Sequence, residues 1–371
     1  MIKPLKAYFS KINNQKGVAL LVTLTIITVL VTTTLELNRN IRAAVMSTAA
    51  KGDRLTLYHV ASSGIHLGMA MLVKDKDDKK SRIDSIQEDW ANKEKIDEVL
   101  QEITFNDSTL TLEISDELGK IQLNSLLKSA KGHDVNDTQA VLIDRLLDQI
   151  IAQYEDQEAF EQIDKKEIIN SMIDWLDSGD DDLITGDSGA ESDYYENLDP
   201  PYTCRNGPFQ DISEVALVKG INPQIFYSEK EKIGLSNFTT NFGAVKQGNT
   251  ITFPGKININ TAPLPVLYAM VGEENKDCAE AIDNFRKEKG EEEEYINPLA
   301  ANAWYKDLPE CKITTIKWDK IAKIITHSSD IFRINSKAKL NEQALTITAI
   351  VKRNRNKSGK NSCEIVSWQP G

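Results

Sequence analysis

The sequence predicts an α+β protein built on one long N-terminal helix, with strand-like runs on both sides of a helical block. Three observations carry this expectation. Residues 18–35 read VALLVTLTIITVLVTTTL, eighteen residues without a charge, bounded by Lys16 and Glu36. Short alternating runs occupy residues 109–114 and 120–123 on one side, and residues 331–334, 345–353 and 363–368 on the other. Between them helical periodicity returns, most clearly at residues 138–154 and 165–176. Strands at both ends of a helical block describe one α+β domain carrying an inserted α domain. A chain of 371 residues has room for two ordinary cores.

As a helix the apolar run spans about 27 Å, close to the thickness of a bilayer core. Its six threonines can return their hydroxyls to the preceding turn, so they do not exclude insertion. A largely polar helical pattern continues without proline to about Val73, which predicts one helix leaving the membrane and entering the body. Residues 74–97 are dense in charge and read as a loop or a solvated helix. The turn at residues 116–119 reads as the bend of a hairpin joining the first two strands. Asp211 supplies a start signal for a helix at residues 212–218, and short helices and turns fill residues 256–322.

The net charge is −12, and four lysines with no acid in the first seventeen residues make the head basic and the remainder acidic. By the positive-inside rule the head stays in the cytoplasm and the body lies outside. An acidic body repels phosphate backbones and argues against general nucleic-acid binding. The four cysteines, Cys204, Cys278, Cys311 and Cys363, all follow the membrane segment and lack zinc spacing, so disulfides are expected on the oxidising side. Of the three possible connectivities, Cys278 with Cys311 is the local pair, the segment between them being short. His59, His66, His133 and His327 are scattered, with no HExxH or GxSxG, so no enzyme is expected.

Nine acids and no lysine or arginine fall in residues 177–199, a density that would hold the loop open unless a cation neutralised it. Oxygen ligands on a flexible loop containing glycine suit Ca²⁺ better than Mg²⁺. The loop is not an EF-hand: counted from Asp180, Glu191 falls at position twelve but Thr185 stands where glycine is required.

Lys16, Gly17 and the apolar run from Val18 resemble a type IV prepilin cleavage site. The resemblance makes Gly17 the last leader residue and Val18 the mature, methylated N-terminus. Most pilins have glutamate at the fifth mature position, which is Val22 here. The K-type minor pseudopilins of type II secretion lack that glutamate, and the body resembles them as well. The similar segments are Asp116-Glu117-Leu118-Gly119-Lys120-Ile121-Gln122-Leu123-Asn124, Asp174-Trp175-Leu176-Asp177, Gly189-Ala190-Glu191-Ser192-Asp193-Tyr194-Tyr195, Pro200-Pro201-Tyr202, Ile212-Ser213-Glu214-Val215 and Lys256-Ile257-Asn258-Ile259-Asn260-Thr261-Ala262.

This resemblance implies a type IV pilin-like fold: a long N-terminal helix, an antiparallel sheet and an inserted α-helical domain. The corresponding divisions are a prepilin leader at 1–17, the transmembrane part at 18–35, the first pilin-like part at 36–124, the inserted domain with its acidic loop at 125–328, and C-terminal strands at 329–371. It implies a structural role at the tip of a secretion pseudopilus, beside I-type and J-type minor pseudopilins and other pseudopilins, after cleavage by prepilin peptidase at the inner membrane. It also implies Ca²⁺ in the acidic loop, with Asp177, Asp180, Asp182, Glu191 and Asp193 the expected side-chain ligands. The alternative is a membrane-anchored extracytoplasmic binding module for DNA or another polymer. Residues 257–262 and 267–272 look like the start of a helix-hairpin-helix, which would present backbone amides to phosphates. The opposing reading has Asn260 and Thr261 capping a helix that accepts Pro263 in its first turn, and the nearby glutamates favour it.

Overall fold

The computed structural model describes residues 17–77, 83–105, 107–129, 133–154, 160, 162–179, 184–228, 232–300, 303–312, 316–355 and 361–371. Helix α1 runs from Val18 to Asp77, 60 residues, slightly past the end expected near Val73. All six threonines of the apolar run donate their hydroxyls to carbonyls three or four residues back, as Thr25 does to Leu21 at 2.7 Å. Mean hydropathy reaches 2.4 in this helix, which makes it a candidate single membrane span.

The C-terminal part of α1 lies on a four-stranded antiparallel sheet, β1 (Ser108–Asp116), β2 (Ile331–Leu340), β3 (Gln343–Arg355) and β4 (Asn361–Pro370), in that order. Leu110, Leu112 and Ile114 of β1 are buried while Thr109, Thr111 and Glu113 face outward, the period of two that a sheet imposes. Two glycines let α1 approach closely. A methyl group on Gly64 would stand 2.2 Å from Ser336 Oγ, and one on Gly68 would stand 3.1 Å from Ile334. Leu57, Ile65 and Leu72 of α1 join Ile114, Phe332, Ile334, Ile347 and Val351 in one core. Trp90 closes it edge-on against Phe332 at 5.1 Å, ahead of helix α2 (Lys93–Gln101). Between β2 and β3, Asn341 takes φ of 53°, a left-handed position that asparagine tolerates.

The expected hairpin does not form. Strand β1 pairs with β2, and the chain leaves the sheet through a 3-10 turn, Glu117–Gly119, into a two-residue parallel pairing of Ile121–Gln122 with Thr239–Thr240. Distant partners hold this turn. Buried Glu117 accepts from Arg333 at 2.6 Å, Thr240 at 2.6 Å and Lys120 at 3.0 Å.

Between β1 and β2 the chain builds a second, larger core. Helix α3 (Asp137–Ala152) contributes Leu142, Ile143, Leu146 and Ile150, and α4 (Lys165–Leu176) contributes Ile168, Met172 and Trp175. Helices α5 (Leu264–Val271) and α6 (Lys276–Lys287) add Val266, Leu267 and Ile282. Cys278 of α6 is bonded to Cys311, as expected. The other two candidates are not bonded to each other: Cys204 is a buried thiol of this helical core, and Cys363 is a half-buried thiol on β4.

The two cores meet through a buried polar joint. Asp116, at the end of β1, accepts from Asn258 at 2.9 Å, Thr261 at 2.6 Å, Leu118 N–H at 2.8 Å and the Ser329 hydroxyl. This corrects the capping assignment, because Thr261 is spent on Asp116 and Asn260 accepts from the Trp304 indole at 3.0 Å. Pro263 stands at the N-cap of α5 without a side-chain hydrogen bond.

Candidate metal centre

Helix α4 delivers the first acids of the site. Asp164 caps it by accepting from Lys166 N–H at 2.8 Å, and it ends at Asp177. Met172, Ile173 and Leu176 fix its buried face, so Asp174 and Asp177, one helical turn apart, emerge together at its C-terminal end. The returning chain is held by aromatic contacts. Trp175 meets Tyr195 edge-on at 5.1 Å, and Tyr195 lies 5.4 Å from Tyr202. Tyr195 sits on a short helix, Ser192–Glu196, so these contacts bring Glu191 back to the end of α4.

One ligand-type oxygen each from Asp174, Asp177 and Glu191 lies within 4.8 Å of the others, and all three residues are buried. Asp174 accepts from Thr185 N–H at 2.9 Å and from Ala190 N–H at 2.7 Å. Asp177 accepts from Gly179 N–H at 3.3 Å, and its other oxygen faces His133 Nδ1 at 3.2 Å. Burial raises the Asp174 carboxyl above its usual range, and its backbone hydrogen bonds oppose the rise. Gly189 is required by close approach, since a Cβ there would stand 2.0 Å from Asp174 Oδ2.

Of the five expected ligands, Asp177 and Glu191 come together. Asp193 is exposed on the short helix, outside this group, and Asp180 and Asp182 lie outside the described residues. Asp174 joins the group although the acid count began only at Asp177. Its signal was present as the i, i+3 spacing of two acids at a helix end. The donor set suits a hard cation, since oxygens of three buried carboxylates converge within 4.8 Å of one another. At the other end of the chain, Val18 is the first residue of α1, with Gly17 in a turn before it, and the expected leader before Gly17 lies outside the described residues.

The family model described as type II secretion system (T2SS), protein K matches residues 119–228, the stretch that holds this acidic group. Type II secretion system protein K of Pseudomonas aeruginosa is 26% identical over 265 residues, which cover 69% of this chain and 68% of that one. The protein of the same description from Aeromonas hydrophila is 28% identical over 219 residues, 57% of this chain and 61% of its own length. The match to the protein from Klebsiella pneumoniae, at 24% identity, covers 60% of its length. Among solved structures, a chain of the GspK-GspI-GspJ complex from the type 2 secretion system of enterotoxigenic Escherichia coli has the same fold. The TM-score is 0.60 at 15% identity, covering 88% of this chain and 99% of that one. A pilin-like sheet under a long helix, a helical insertion and similar proteins along most of the chain agree: the chain is similar to the type II secretion system protein K family, whose model it matches over residues 119–228.

Proposed function

We propose that this chain works as a minor pseudopilin at the tip of a type II secretion pseudopilus, anchored in the inner membrane with its body in the periplasm. One observation carries the reading. Beyond the apolar run, α1 continues with exposed Leu37, Ile41 and Val45, four residues apart on one face, a stripe suited to packing on other helices. In the solved relative, GspK is in complex with GspI and GspJ. Here the partners are accordingly I-type and J-type minor pseudopilins, with other pseudopilins below. The role is structural, with no catalysis assigned to it.

In this reading residues 1–17 are a leader removed by prepilin peptidase, residues 18–35 span the membrane, and residues 125–328 form the helical block set between the first pilin-like part (36–124) and the last strands (329–371). A block of that size fits a tip, where no subunit must stack above it. Val22, lacking a carboxylate, agrees with a subunit that has no neighbour's ammonium to neutralise. Asp174, Asp177 and Glu191 would hold Ca²⁺, which supplies charge to lock the acidic loop in one arrangement. The test is the N-terminal residue of the protein recovered from membranes. N-methylated Val18 is expected; an uncut Met1, or cleavage beyond Leu35, would refute the pseudopilin assignment.

A further inference from the structure

The acidic loop has no lysine or arginine in residues 177–199, yet an ammonium reaches it from further along the chain. Lys219 Nζ lies 2.9 Å from Glu167 Oε1 on α4, and it straddles two loop carbonyls, Ser188 O at 3.3 Å and Gly189 O at 3.5 Å. The Tyr194 ring lies 5.0 Å from the same nitrogen. The Lys219 backbone is held as well, its N–H donating to the Tyr195 hydroxyl at 3.3 Å. Gly220 follows with φ of +83°, pressed so closely on α4 that a Cβ would stand 2.8 Å from Ile168.

The carbonyl of Gly189 and the N–H of Ala190 belong to one peptide unit. Asp174 holds that unit by its N–H at 2.7 Å, and Lys219 reaches its oxygen from the other side. Glu191 is the next residue. The plane before a ligand is therefore fixed at both ends, by an acid of the site and by a cation anchored to α4.

We infer that Lys219 is a positioning residue of the metal centre: it clamps the Ser188 and Gly189 carbonyls so that Glu191 faces Asp174 and Asp177 before a cation arrives. This rests on the calcium reading given above. Two effects of the lysine oppose each other, which makes the sign of its removal informative. As a bare positive charge near a cation site it would weaken Ca²⁺ binding, and its removal would strengthen binding. As a clamp it lowers the ordering cost of binding, and its removal weakens binding. The ion pair with Glu167 offsets the charge locally, so the clamp governs.

The experiment is Ca²⁺ titration by calorimetry on the full chain in detergent, with hydrogen exchange of residues 185–191 in chelator. Lys219→Met should weaken Ca²⁺ binding by about tenfold, the lower end of what outer-shell partners of metal ligands contribute. It should also speed apo exchange at residues 188–191, and Lys219→Arg should restore both. Glu167→Gln, which releases the ammonium without removing it, should shift both readouts in the same direction by less and serves as the second variant should Lys219→Met fold poorly. Tighter or unchanged Ca²⁺ binding in Lys219→Met overturns the clamp. If the unaltered chain takes no Ca²⁺, the calcium reading falls by itself. The exchange arm then still decides: faster apo exchange in Lys219→Met upholds the positioning role, and unchanged exchange overturns it.

Discussion

Two acidic triads in this molecule look alike by composition and differ in what surrounds them: in the first only Asp84 is fully buried, in the second all three acids are. Asp75, Asp84 and Glu88 bring carboxylate oxygens within 4.8 Å of one another, as Asp174, Asp177 and Glu191 do. In the first triad the counter-charges are built in. Arg353 pairs with Asp84 and lies 3.3 Å from Asp75, Lys76 lies 3.1 Å from Asp84, and Arg353 also donates to the carbonyls of Leu72 at 3.1 Å and Ser329 at 2.8 Å. In the second, Asp174 receives backbone N–H groups and Asp177 an N–H and a histidine. Among the described residues neither forms a salt bridge with lysine or arginine. A buried charge needs a partner, and the source of that partner decides whether the cluster is a joint or a site. The first triad ties α1 and the turn after it to β3. The second would, on the proposed reading, take a cation from solution.

The largest effect that separates them is at Arg353. Arg353→Ala should destabilise the chain by about 3 to 5 kcal/mol, because it strands buried Asp84 without its guanidinium. Denaturant unfolding should show this loss equally in chelator and in Ca²⁺. A loss that Ca²⁺ repairs would mean the two triads are not distinct.

A smaller effect is pH dependence at the joint. Burial, then neighbouring Glu88, pushes Asp75 up to about 7 against the pull of Lys76, and burial pushes Asp116 up to about 6 against its four hydrogen bonds. Both start from an unfolded value of 3.8, so between about pH 4 and 7 the native state holds more protons than the unfolded chain. Their contribution is therefore fully present below about 4 and is lost as pH rises through 6 and 7. Glu117, lowered by Lys120 and Arg333 against its burial, works the other way and loses its contribution on acidification. Asp116→Asn should flatten the decline up to about pH 6 in unfolding measured in chelator. An unchanged slope would remove Asp116 from the explanation.

The sequence showed most where local rules decide. Helix α4 was expected at the residues it occupies, and α1 ran only four residues further, because periodicity and an unbroken apolar run act within a few turns. The strands from Ile331 onward are longer than the sequence predicts: Asn335, Ser336, Lys337 and Lys339 of β2 are polar, and their strand state comes from pairing with β1 and β3. The missed pairing of β1 has the same origin, since Asp116 sits opposite Phe332 and alternation carries no address for so distant a partner. At the candidate site the loop is legible from its charge density, while Asp174 shows only in its i, i+3 spacing from Asp177 at the helix end. Lys219 and Arg353 were not legible at all, as each meets its acids only through the fold.

The most direct test of the difference between the triads is the melting temperature of the full chain in chelator and in Ca²⁺. At a hundred times the dissociation constant, Ca²⁺ should add about 2.7 kcal/mol of stability by mass action. Mg²⁺ should add less, given its octahedral preference. Asp177→Asn and Glu191→Ala should remove the response, while Glu88→Gln, in the triad with its own cations, should leave it intact. Identical melting in chelator and in millimolar Ca²⁺, or a response abolished by Glu88→Gln, would contradict the account.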